Sequence, residues 1–177
     1  MEKTFFISGI GGQGVQVMCK ALATVVDDCG MNMCLYPWYQ GVRRGGATYG
    51  RLIISDDRVG APEKRHYDIV VMLDAASMRD YADKRKPGGV MIYNSDLISD
   101  VPYDDVTVVG APFSSTAEHL NNARCFNLVV AGFLAAYTKV VPIEKLKAEM
   151  LKRTARDSEH AELYGKAFDQ GVALVKE

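Results

Sequence analysis

Hydrophobic positions along this chain alternate between short β-rich runs and longer stretches with helical spacing. Thr4 to Ser8 is a run of the first kind and stops at a glycine cluster, Gly9 to Gly14. Behind it Val15, Met18, Leu22, Val25 and Cys29 fall on one stripe of a helix, which Gly30 ends. Met33 to Tyr36 then reads as a second strand, so the opening predicts one βαβ unit. Ala47 to Ser55 is β-like and closes at Asp56-Asp57. Asp68 to Leu73 (DIVVML) suits a central parallel strand covered on both faces. Gly89 to Tyr93 and Val106 to Val109 supply further strands.

Between and after these runs the period changes. Asp74 is placed to cap a helix that Lys84 to Gly89 terminates, and Ser115-x-x-Glu118 matches a capping box that opens a helix at about Thr116. Leu128 to Val140 is apolar nearly all round, the signature of a buried helix. Pro142 suits the first turn of a helix carrying Ile143, Leu146 and Met150. A last helix aligns Leu163, Ala167, Gly171 and Leu174. With no repeat or linker in view, the pattern predicts one α/β domain over residues 1–177. Its expected architecture is three-layer and Rossmann-like, with a mostly parallel sheet and helices on both faces.

Composition changes this picture only by exclusion. The formal net charge is −1, which gives no electrostatic case for nucleic acid or an anionic membrane. The short basic run Lys84-Arg85-Lys86 reads as cations near a helix C-terminus. The longest apolar stretch is about half a membrane span, and Phe5-Phe6-Ile7 is too short for a secretory signal, so the expected compartment is the cytoplasm. Cys19, Cys29, Cys34 and Cys125 are scattered without a C-x-x-C pair. They read as free thiols, and a zinc or iron–sulfur site on this chain is not expected.

Two motifs carry candidate chemistry. Gly9-Ile10-Gly11-Gly12-Gln13-Gly14 satisfies G-x-G-x-x-G between a strand and a helix, where backbone amides can face an anion. The same glycines would equally allow close helix–strand packing. The second strand ends without the carboxylate that a dinucleotide site uses on the ribose, so NAD is a poor fit. Arg43-Arg44-Gly45-Gly46 combines a sharp turn with guanidinium groups, as either an anion partner or an exposed bulged turn. Trp38 and Tyr39 lie close by, as an interface anchor or as packing. Asp74 reads as a helix cap and His119 as an exposed first-turn residue, so no residue is assigned a catalytic role.

Together the motifs resemble one family. G-I-G-G-Q-G-V, the Tyr/Pro-rich segment with R-G-G, Ile54-Ser55-Asp56, Pro62, Asp68 to Asp74, Lys86 to Gly89, Asn94-Ser95, Ala111-Pro112, Asn127, Gly132 and Ala167-Phe168 with Gly171 run through the chain in order. This resembles the gamma subunit of the 2-oxoacid:ferredoxin oxidoreductases. Val42 stands where members often carry Glu, and Tyr164 where they often carry Asn.

The resemblance implies a non-catalytic subunit of a complex that converts a 2-oxoacid and coenzyme A to acyl-CoA and CO2, reducing ferredoxin. Thiamine diphosphate, Mg2+ and iron–sulfur clusters would sit on other subunits, alpha and beta with delta as a further candidate. No cofactor is expected on this chain alone. Its own part would be structural, with Gly9, Gly11, Gly12, Gln13, Gly14, Arg44, Gly45 and Gly46 as a cradle that positions coenzyme A. The compact chain looks most like the 2-oxoglutarate members, with pyruvate, branched-chain acids and indolepyruvate open. In isolation a homodimer is expected. The rival readings are a free-standing NAD(P)- or flavin-dependent oxidoreductase and a nucleotide-sensing scaffold.

Overall fold

The glycine-punctuated opening folds as β1 (Glu2–Ile10) followed by α1 (Val15–Asp28). A computed structural model gives the structure and describes residues 1–41, 45–60, 63–120 and 122–175. Next come β2 (Asn32–Tyr39), β3 (Ala47–Ser55), β4 (Tyr67–Met72), α2 (Ala75–Tyr81), β5 (Arg85–Asn94) and β6 (Thr107–Ala111). The rest is helical: α3 (Phe113–Glu118), α4 (Phe126–Thr138), α5 (Ile143–Thr154) and α6 (Ser158–Ala173).

Among the described residues the strands form one six-stranded sheet in the order β2-β3-β1-β4-β5-β6. β1, β4, β5 and β6 are parallel, whereas β3 runs antiparallel to both of its neighbours, β1 and β2. β2 therefore points the same way as β1, as a βαβ unit requires, but β3 is wedged between them. The cause is local. β3 starts only eight positions after β2 ends, the Gln40 amide bonds the Ala47 carbonyl at 3.1 Å, and a link that short permits only antiparallel pairing.

Handedness then assigns the helices to faces. The β1–α1–β2 crossover travels toward one edge of the sheet and β4–α2–β5 toward the other. Right-handed connections made in opposite directions must lie on opposite faces. Phe5, Ile7, Ile69 and Val71 accordingly face the cluster built by α1, α3, α4, α5 and α6. Phe6, Val70 and Met72 face Met78 of α2. The β5–β6 connection stays on the α2 face without forming a helix, and Ile98, Val101 and Tyr103 serve as its cover. Helices thus occupy both faces, very unequally.

Two glycines set the thick layer. A Cβ at Gly132 of α4 would fall on the Phe168 carbonyl oxygen, and one at Gly171 of α6 on that of Val129. These helices cross with backbones in contact, which only glycine permits. The α6 face is Tyr164, Ala167, Phe168 and Gly171, rotated from the predicted stripe so that Leu163 and Leu174 are only half-buried.

One local expectation fails and a second holds only in part. α3 begins at Phe113, so Ser115 and Thr116 lie inside it. Ser115 turns its hydroxyl to the Asp96 carboxylate at 3.1 Å, and Thr116 donates back to the Pro112 carbonyl at 2.7 Å. The Ser-x-x-Glu spacing was met by chance, because buried Phe113 anchors the first turn instead. The basic run ends a helix only in part: Lys84 closes the 3-10 turn Ala82–Lys84, whereas Arg85 and Lys86 open β5 and pair with Asp105 and Asp68. Arg85 nevertheless also donates to the Ala82 carbonyl at 2.8 Å, so one cation does serve a helix end.

Candidate functional site

The crevice beyond the carboxyl ends of β1 and β4 lies where the chain's crossovers diverge, the position at which open α/β sheets bind ligands. The glycine loop fills its rim. Gly12 and Gly14 take φ of 108° and 74°, and Gly14 is the N-cap of α1 with no side chain capping the helix and no acid in its first turn. Backbone donors there lack an internal partner and carry the positive end of the helix dipole.

Gln13 holds the loop in shape. Its Oε1 accepts from the Ile10 amide at 2.9 Å and its Nε2 donates to the Leu73 carbonyl at 3.4 Å, so one side chain joins the ends of β1 and β4. Gly9 is small for this reason, since a Cβ there would collide with Gln13 Oε1. Gly14 is small because Asn127 of α4 presses against it: a Cβ would come 2.8 Å from the Asn127 Cγ. Gln16, in the first turn of α1, donates to the Trp38 carbonyl, Thr48 Oγ1 and the Tyr49 carbonyl and so fixes the helix to the β2–β3 hairpin.

The two motifs separated in sequence meet here. The Gly11 amide donates to the Gly46 carbonyl at 2.8 Å, and Gly45 turns with φ of 79°. Gly9, Gly11, Gly12, Gln13, Gly14, Gly45 and Gly46 therefore form one continuous rim. Arg44, the remaining predicted site residue, lies outside the described residues, as do Val42 and Arg43. Tyr39 packs beside Gly11, whereas Trp38 stacks on Tyr49 at 4.8 Å.

On the thick-layer side the rim opens into a cleft of about 440 Å3, where Gly12 to Gly14 meet Asn127, Tyr164 and three arginines, Arg124, Arg153 and Arg156. The sequence reading missed these arginines. They lie some 110 to 145 positions from the loop, in flanks of α4 and α5 whose only local signal is an exposed cation. Arg153 is tied to Glu149 at 2.6 Å and to Thr24 at 2.8 Å. Arg124 and Arg156 are exposed and make no ion pair among the described residues. The acid beside Arg156 is engaged elsewhere. Asp157 caps α6 through the His160 amide at 2.8 Å, and that N–H, helped by the His160 ring, holds its carboxyl below the usual range. Asn127 lines the same cleft, pressed against Gly14. A helix N-terminus, unpaired guanidinium groups and a side-chain amide make a cleft suited to a phosphate-bearing anion.

The neighbours predicted as chemistry resolve otherwise. Asp74 is a buried cap on α2, accepting from the Ser77 amide at 3.0 Å and hydroxyl at 2.7 Å. His119 is exposed, but at the C-terminal end of α3 and not in its first turn. A dinucleotide site would place its second strand directly beside β1. Here antiparallel β3 takes that place and sets β2 about 10 Å away, two strand spacings, so the ribose-binding corner does not exist. The four cysteines are free, and burial pushes the Cys19 thiol up to about 12.

Comparison with known proteins gives a consistent set of likenesses. Residues 4–174 match the family described as "Pyruvate ferredoxin/flavodoxin oxidoreductase". A 2-oxoglutarate synthase subunit, KorC, from Methanocaldococcus jannaschii is 31% identical across 100% of this chain and 96% of its own. A ketoisovalerate oxidoreductase subunit, VorA, from Methanothermobacter thermautotrophicus is 34% identical over 73% of this chain, which corresponds to 27% of that longer protein. The crystal structure of a keto/oxoacid ferredoxin oxidoreductase gamma subunit from Geobacter sulfurreducens superposes with a TM-score of 0.85, at 26% identity, over 98% of this chain and 96% of that one.

Proposed function

Because this chain belongs to the pyruvate ferredoxin/flavodoxin oxidoreductase family, as a gamma subunit of a 2-oxoacid:ferredoxin oxidoreductase, we propose that its glycine-loop cleft positions the phosphate-bearing end of coenzyme A for the complex. The observation that carries this reading is the meeting of the uncapped α1 N-terminus with Arg124, Arg156 and the Asn127 amide. Backbone amides would take phosphate oxygens, the guanidinium groups would neutralise their charge, and Asn127 would complete the set. Arg44, next to Gly45, is a further phosphate partner in this scheme. The chemistry itself belongs to partners: thiamine diphosphate with Mg2+ would form the substrate adduct and iron–sulfur clusters would carry electrons to ferredoxin. This chain contributes binding and orientation, with no catalytic residue of its own.

The leading substrate of the complex is 2-oxoglutarate, on the strength of the full-length likeness to a 2-oxoglutarate synthase subunit. A branched-chain 2-oxoacid is the second reading, since the ketoisovalerate relative shares somewhat higher identity over a shorter stretch. We assign the assembly alpha and beta subunits, with delta as a further member, and a cytoplasmic location. Among the described residues no helix is long and apolar enough to cross a membrane. In this reading residues 1–177 act as one domain.

The test is steady-state kinetics of the complex purified anaerobically through a tag on this chain. Arg156→Ala and Gly12→Asp should each raise the coenzyme A Michaelis constant about tenfold, equivalent to ~1.4 kcal/mol, with that for the 2-oxoacid unchanged. An unaltered coenzyme A constant in both variants would remove the cleft from the reaction. The same preparation, offered a panel of 2-oxoacids, decides between the two substrate readings.

A further inference from the structure

The α2 face of the sheet carries a second cleft, of about 520 Å3, that the glycine-loop site does not use. Its floor is Phe6, Tyr49 and Tyr67, and residues 63–65 face Tyr81 and Lys84 across it. The rings form a continuous cluster: Phe6 stacks on Tyr49 at 5.0 Å, and Tyr49 meets Tyr81 edge-on at 5.2 Å. The aromatic surface then runs outward. Trp38 stacks on Tyr49, and Tyr36 lies over the Arg51 guanidinium at 4.3 Å while remaining 49% exposed on the outermost strand.

Arg51 is the anomaly in this region. Its side chain is only 10% exposed and its sole ion-pair partner among the described residues is Glu63, itself 68% exposed. That pair uses Nη1 and leaves Nε buried with no hydrogen-bond partner among the described residues. A buried guanidinium held by one solvated acid is poorly compensated. A second carboxylate reaching the guanidinium from the cleft would complete its charge compensation. Around it the cleft presents Lys64, Arg65 and Lys84 against the single acid Glu63. Lys64 and Lys84 are partly engaged by Glu2 and Asp83, but Arg65 has no ion pair among the described residues.

We propose that this cleft, with the aromatic row leading from it to β2, is the docking surface for an acidic segment of another subunit of the oxidoreductase, one of whose carboxylates pairs with the Arg51 guanidinium where it lines the cleft. The proposal rests on the chain's place in a multi-subunit complex and is independent of what the glycine-loop cleft binds. Two features favour a protein over a small anion. Desolvated arginine flanked by Tyr and Trp is the residue set that anchors protein interfaces, and the row extends beyond the cleft to the edge of the sheet. Cations at the rim would steer an acidic surface to it.

The experiment compares lysine acetylation rates in the assembled complex with those in the free chain. Lys64 and Lys84 should be protected at least about fivefold on assembly, whereas Lys20 and Lys152, on the opposite face, should not change. In parallel, the surface pair Arg65→Glu/Lys84→Glu should reduce partner subunits retained on the tagged chain at least about tenfold, with its thermal melt unchanged. The matched pair Lys20→Glu/Lys152→Glu should retain them. Equal acetylation of Lys64 and Lys84 in both states, or full retention by the first pair, would overturn the surface while leaving subunit membership intact. Protection that appears with only a second copy of this chain in the eluate would overturn it too.

Discussion

The two faces of the sheet are built on different principles. Beneath α1, α4, α5 and α6 the contact is almost wholly apolar, and Phe5, Ile7, Leu52, Ile69, Val71 and Ile92 meet helix side chains with no buried polar partner required. The α2 face is thinner and is held by three polar clusters. Ser8, Ser77 and Asp74 form a buried chain of hydrogen bonds at 2.9 and 2.7 Å. Thr4, Asp68 and Lys86 join the first strands of the parallel run, and Arg51 pairs with Glu63. Apolar burial is indifferent to direction and supplies bulk stability. Polar clusters contribute less net energy but tolerate few geometries, and they leave groups that a partner can engage. The thick face thus carries most of the apolar burial that stabilises the fold, and the thin face keeps more polar groups close to its surface.

The hardest way to break the thick face is to push its helices apart. Gly171→Ala places a Cβ onto the Val129 carbonyl, where backbone and not a flexible side chain stands in the way. The expected loss is about 3 kcal/mol or more by denaturant titration. A loss under 1 kcal/mol would show that α4 and α6 can separate without cost. On the thin face Ser77→Ala removes two side-chain bonds and leaves Asp74 buried with its amide donor alone. About 1 to 2 kcal/mol is expected there, clearly less than for the glycine.

The contrast between the faces also explains what the sequence could reveal. Period and punctuation are local, so β1, α1, β4 and α4 were legible, as was the seating of the glycine loop between a strand and a helix. Direction and partners are not local. Nothing in Ala47 to Ser55 says that it inserts antiparallel between β1 and β2, because that follows from where the hairpin return places it. The rotation of α6 toward Tyr164 and Phe168 is likewise set by the α4 surface it meets. At the site, the glycines announced themselves through spacing. Asn127 stood out only through the family resemblance, and Arg124 and Arg156 not at all, since each is brought to the loop by the packing of α4 and α5 and carries no motif of its own.

Acid offers a gentler probe of the thin face. Burial raises the cost of charging Asp68, but the Lys86 ammonium and the hydroxyl and amide of Thr4 outweigh it and hold the carboxyl below its usual range. A group depressed in the folded state adds stability above its unfolded value, about 3.9, and loses it as pH falls through the folded value. Asp68→Asn should therefore cost about 1 kcal/mol at pH 7, and the gap from the parent should close in strong acid, once the carboxyl is protonated in the folded state. Denaturant titrations under both conditions check this, and a gap that persists in acid would mean that the loss is one of shape and not of charge.

The smallest effect is expected at the outer edge. Tyr36 contributes one face of a cation–π contact to Arg51 and is half-exposed, so Tyr36→Leu in the isolated chain should cost only about 0.5 kcal/mol. The same substitution should weaken retention of partner subunits by more than its stability cost allows, because an aromatic anchor acts fully only when a second surface excludes water from it. Melting curves of the isolated chain and retention by the tagged complex separate the two quantities. If Tyr36→Leu instead costs 2 kcal/mol or more in the isolated chain, β2 is already part of a finished core, and the thin face is less open than its exposed aromatic row implies.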